Sequence, residues 1–99
     1  MDKSNKVKQV YVKKRTEATK IDTSIFKQNF GESLKDAWFR IQEMHDKDPN
    51  PCSEAKLNTN FYFGLEPWGK YALDFPSGGS FMLAPFEESS LIIKKSFWH

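Results

Sequence analysis

At 99 residues the chain has room for one domain, and its 38% apolar and 15% aromatic content allows a small core built on large rings. The net charge of +2 is unevenly spread: residues 1–20 carry seven Lys or Arg against Asp2 and Glu17, so any polyanion contact belongs at the N-terminus. The single cysteine, Cys52, excludes an internal disulfide or a multi-cysteine zinc site, and no apolar run reaches bilayer length or follows the N-terminus as a signal h-region. These features predict a soluble intracellular protein, cytoplasmic or nuclear, with no membrane partner.

Residues 1–15 form a basic arm whose brief alternation, Val7, Val10, Tyr11 and Val12, fits a strand or a disordered tail equally. Lys8, Lys13, Lys14 and Arg15 are its candidate phosphate contacts. The arm lacks Arg clustering and aromatic interleaving, which favours a solvated basic end over a dedicated nucleic-acid tail. From Thr16 to Phe26, Ala18, Ile21, Ile25 and Phe26 have helical spacing and predict a short helix ending before Asn29-Phe30-Gly31. Gly31 suits a chain reversal. The strongest element follows: Leu34, Ala37, Trp38, Ile41, Met44 and His45 share one helical face opposite Lys35, Asp36, Gln42, Glu43 and Asp46. This predicts a helix over 32–47, stopped by Asp48-Pro49-Asn50-Pro51.

Ser53-Glu54 predicts a third helix through Leu57, Phe61 and Tyr62 to Gly64, weakened by Asn58, Thr59 and Asn60. Pro67 predicts the first turn of a further short helix with Trp68, Tyr71, Ala72 and Leu73 facing inward, and Gly69 costs that helix roughly 1 kcal/mol relative to Ala. The stretch 75–80 reads as a loop; its Gly78-Gly79 pair lacks the Lys and the preceding strand of a phosphate-binding loop. Phe81, Met82 and Leu83 then form an apolar lid. Pro85, Glu87 and Glu88 at one end and Lys94 and Lys95 at the other suit a last helix with Leu91 and Ile92 inward. Ile93, Phe97 and Trp98 are left as an apolar surplus, the usual mark of a partner surface. The expected core joins Leu34, Trp38, Ile41, Leu57, Phe61, Leu73 and Leu91.

Gln28, Glu32, Leu34, Asp36, Arg40 and Ile41 resemble the major homology region of retroviral capsids. The longer pattern Phe26-x-Gln28-x-x-Gly31-Glu32-Ser33-Leu34-x-x-Ala37-Trp38-x-Arg40 resembles the gag polyprotein of plant gypsy-type retrotransposons. Two further blocks follow in the same order, Phe61-Tyr62-Phe63-Gly64-Leu65, and Leu73-Asp74 with Ser77-Gly78-Gly79-Ser80-Phe81-Met82. The likeness runs from about Thr16 to the C-terminus. It implies an all-α, capsid-like bundle of four or five short helices over 16–99, truncated on its N-terminal side where the family carries more helices. It also implies that Gln28 and Glu32 fix the turn before the main helix, with Arg40 as the charged member of the network. Arg40 lies about 12 Å along a helix from Glu32 at ~1.5 Å per residue, which argues against a direct pair. Where the retroviral motif has Gly after the Gln, this chain has Asn29, and Ala55 and Asn58 stand where the family carries larger apolar side chains, which predicts looser packing there.

No set of residues converges on catalysis. His45 edges an apolar helix face, His99 is terminal, Cys52 has no basic neighbour in sequence, and Glu43, Asp46 and Asp48 match no calcium loop or carboxylate dyad. The expectation is a non-enzymatic gag-derived protein, without cofactor, metal or small-molecule substrate, that self-associates through Ile93, Phe97 and Trp98. Two alternatives stand beside it: a weak RNA-binding accessory protein using the basic arm, and a relic reading frame with no selected activity.

Overall fold

The structure is a computed structural model that describes residues 22–98. The basic arm, with Lys8, Lys13, Lys14 and Arg15, and the expected helical residues before Asp22 lie outside the described residues, as does His99. The described part is all-α: α1 (Leu34–Lys47), α2 (Glu54–Phe63), α3 (Pro67–Asp74) and α4 (Phe86–Lys95), with single 3-10 turns before α1 (Thr23–Ile25), between α3 and α4 (Phe75–Ser77 and Phe81–Leu83) and after α4 (Ser96–Trp98). No helix among these residues is long and apolar enough to cross a membrane.

Local chemistry sets the helix starts. Ser33 and Ser53 each accept a hydrogen bond from a first-turn amide, Asp36 N at 3.0 Å and Lys56 N at 3.1 Å. Because Ser33 is the cap, α1 starts at Leu34 and not at Glu32 as its composition suggested. Pro67 opens α3 where its missing N–H costs nothing. The segment before Phe26, expected as a helix end, is a 3-10 turn capped by Asp22, with Phe26 buried and Ile25 exposed.

α2 is the element around which the others pack, touching α1, α3, α4 and the Thr23–Ile25 turn. Phe61 is its centre, with Trp38 edge-on at 5.0 Å between ring centroids and Phe26 at 6.0 Å. Leu34, Trp38, Ile41, Leu57, Phe61 and Leu73 are buried together, joined by Phe26, Ala37, Leu65, Phe81, Ile92 and Ile93.

Three expectations about packing are corrected. Leu91 is exposed and Ile93 is fully buried, because α4 turns the row Ser89, Ile92, Ile93 and Ser96 inward. Those serines let α4 approach closely, and the amide of Asn58, itself buried, donates to Ser89 Oγ at 3.2 Å and Ser90 Oγ at 3.1 Å. Asn58 is therefore a polar tie between α2 and α4, not a packing defect. Finally, α3 buries Gly69 and Leu73 while Trp68 and Tyr71 face outward. A Cβ at Gly69 would meet Leu34 Cδ2 at 3.1 Å and Leu65 Cβ at 3.2 Å, so its helix cost is offset by contact.

Gly64 is under a stronger constraint. A Cβ there would lie 2.3 Å from the Phe26 carbonyl oxygen, a backbone atom that cannot swing aside. Gly64→Ala should lower stability by about 1–3 kcal/mol, as overpacking of a tight contact does. Trp38→Ala should cost about 3–5 kcal/mol, a large part of a small domain's total. Chemical denaturation followed by circular dichroism reads both; a Trp38→Ala chain unfolding at the parental midpoint would contradict this core.

Candidate functional site

The turn before α1 is built by Gln28, Glu32 and Arg40, which the fold brings together. Gly31 takes a left-handed backbone, φ 79°, and the Glu32 amide closes the turn by donating to Asn29 O at 3.0 Å. Glu32 thus sits beyond the helix cap, with Ser33 extended between it and α1. Helical side chains lean toward the N-terminus, so the long Arg40 side chain reaches back over two turns to the folded-back carboxylate. Arg40 Nε donates to Glu32 Oε2 at 2.9 Å and Nη2 to Oε1 at 2.8 Å, a two-pronged pair. The separation expected from helical rise fails because Glu32 is not on the helix.

Each partner has a further task. Glu32 Oε1 accepts from Asn29 N at 2.9 Å; Arg40 Nη2 donates to Lys27 O at 2.7 Å, and its guanidinium lies 4.7 Å from the Phe26 ring centre. The Arg40 hydrogen bond holds the Glu32 carboxyl below its ordinary 4.5, against partial burial that would raise it. Gln28 is buried and bonded through backbone and side chain: its backbone N–H donates to Gly64 O at 2.8 Å, Nε2 to Glu32 O at 2.6 Å, and Oε1 accepts from Glu66 N at 2.8 Å. Nothing in the spacing of Gln28 announced its partners Gly64 and Glu66, which lie across the fold.

Elsewhere, polar side chains are committed to structure. Tyr62 donates to Asp74 Oδ2 at 2.7 Å while Asp74 Oδ1 accepts from Phe81 N at 2.8 Å, and the Tyr62 and Phe81 rings stack at 5.3 Å. Burial, then the Asp74 bond, pushes the Tyr62 phenol up to about 12. His45 Nε2 donates to Cys52 O at 2.7 Å, fixing that ring against the connector. Among the described residues, no three His, Cys, Asp or Glu gather where they could hold a metal ion.

The apolar surplus at the C-terminus is redistributed. Ile93 belongs to the core; Phe97 is half-buried, its ring 6.5 Å from that of Phe39; Trp98 is largely exposed. Lys35 Nζ lies 5.9 Å from the Trp98 ring and 6.0 Å from the Phe39 ring. Beside them a cleft of about 250 Å³ opens between Leu34, Lys35, Trp68, Ala72, Ser96 and Phe97. Trp68, Tyr71 and Phe75, all exposed, run outward from it along one face of α3 and the turn that follows. The spacing 68, 71, 75 was visible in the sequence, but the same spacing also describes a buried face. Comparisons with protein families, with curated proteins and with solved structures find no match to this chain.

Two measurements check the network. Arg40→Ala should cost about 1–2 kcal/mol, since Glu32 loses its partner at a partly exposed site, whereas Lys35→Ala should change stability by less than about 0.5 kcal/mol. Equal losses would contradict the network. The lowered Glu32 value means its contribution is present above pH 4.5 and is lost as pH falls through that lowered value. The raised Tyr62 value means its contribution is present below pH 10.0 and is lost as pH rises toward about 12. In denaturation midpoints across pH, Glu32→Gln should flatten the acid limb and Tyr62→Phe the alkaline one.

Proposed function

We propose that this domain is a gag-derived, capsid-like helical module that acts by self-association and not by catalysis. The observation that carries the reading is the convergence of Gln28, Glu32 and Arg40 on a single turn, at the positions where the chain resembles the major homology region. That network is spent on architecture: its carboxylate, guanidinium and amide bond each other and the surrounding backbone, so the three motif side chains are engaged in holding the turn. The exposed aromatic side chains supply the other half of the argument, since Trp and Phe are the residues that anchor protein interfaces.

The alternative of weak RNA binding rests on the charge of Lys8, Lys13, Lys14 and Arg15, which lie outside the described residues. A relic reading frame, the third possibility, predicts an inert monomer. Sedimentation velocity over a concentration series, at low and high salt and with and without RNA, separates the three. Self-association through apolar side chains should persist at high salt, while any RNA signal should fall steeply as counterions compete. A protein that stays monomeric at every concentration would overturn the proposal.

A further inference from the structure

We infer that the outer face of α3 and the C-terminal turn form a two-fold dimer interface, in which Trp98 of each chain enters the apolar cleft of a second copy. This rests on the self-association proposed above and adds to it a surface and a symmetry. The surface is continuous: Phe39 adjoins Phe97, Phe97 and Trp68 line the same cleft, and Trp68, Tyr71 and Phe75 follow one another along α3 and its exit, with the last two rings 5.8 Å apart.

Area is the first argument for a second copy as the occupant. Phe39, Trp68, Tyr71, Phe75 and Trp98 are between 52% and 83% exposed. At about 150–250 Å² per side chain they offer roughly 650 Å² per chain. That exceeds the ~300–600 Å² of a typical monomer's largest apolar patch and approaches the ~800 Å² per partner of a standard interface. Shape is the second. A protruding Trp98 stands beside a cleft of about 250 Å³, so the surface presents a knob and a hole side by side. A two-fold axis between them seats each knob in the other chain's hole and satisfies both at once. Charge is the third. Among the described residues Lys35 is the one charged side chain lining the cleft, which leaves apolar contact as the driving term there.

The test is sedimentation velocity of the full chain over a concentration series, for the wild type, Trp98→Ala, a Tyr71→Ala/Phe75→Ala pair and Phe30→Ala. Phe30 is 99% exposed and does not line the cleft. The three variants change only exposed side chains, and circular dichroism verifies the fold of each. The expected result is a wild-type dimer that persists at high salt, a Trp98→Ala chain needing roughly thirtyfold higher concentration to dimerise, a weakened aromatic pair, and Phe30→Ala like the wild type. If the wild type associates and Trp98→Ala associates equally well, this surface is wrong while self-association stands. If the wild type is monomeric throughout, both fall. If it is monomeric alone but sediments with RNA in a Trp98-dependent way, the aromatic face is a base-stacking platform and the dimer is overturned.

Discussion

The side chain of Gln28 is the joint on which the fold depends. One buried amide, with its own backbone N–H, reaches the turn before α1, the end of α2 and the start of α3. Its neighbourhood is shaped to admit it: Gly64 lets the Phe26 backbone lie against the end of α2, and the Gln28 oxygen itself lies 3.2 Å from where a Cβ on Gly69 would stand. The Glu32–Arg40 pair then closes the outside of the same turn. A glutamine suits this place because it offers a donor and an acceptor without a charge to desolvate.

The helices were legible in the sequence because their signals are local. Ser53 and Pro67 mark starts, the 48–51 proline pair marks a stop, and α1 carries a clear 3.6-residue period. What was not legible depends on neighbours. Leu91 and Ile93 were exchanged because both fit an apolar row on α4; only the pairing of Ser89 with Asn58 reveals which row faces in. Glu32 and Arg40 look two turns apart only along a helix axis, and Glu32 does not lie on that axis. Trp68 and Tyr71 suit an inward face in sequence as well as Leu73 does, but in the fold Gly69 and Leu73 fill that face. The motif residues Gln28, Glu32 and Arg40 were identified, but not the backbone atoms they serve.

The interior also shows why α2 looked weak. α2 carries Asn58 and Asn60 on its buried side and Ala55 and Phe63 on its exposed side, so its amphipathic signal fades. Asn58 and Asn60 are buried on it, and each finds hydroxyl partners: Ser89 and Ser90 for the first, Thr23 at 2.9 Å for the second. Such pairs contribute less to net stability than to alignment, because a helix displaced by one turn would leave both amides buried and unpaired. The polar residues that lower helix propensity are the ones that set the docking of α2 on its neighbours.

The meeting of Gln28 with Gly64 closes a long stretch of chain that includes all of α1 and the connector 48–53. Loop-closure entropy grows only with the logarithm of length, and doubling such a stretch costs about 0.6 kcal/mol. Most of the connector faces water, and Asp48, Pro49, Asn50 and Pro51 lie beyond the last turn of α1. The chain there can therefore lengthen, or accept a grafted segment, at small thermodynamic expense. A single residue inserted between Phe26 and Glu32, by contrast, would shift the Gln28 amide out of reach of the backbone atoms it joins.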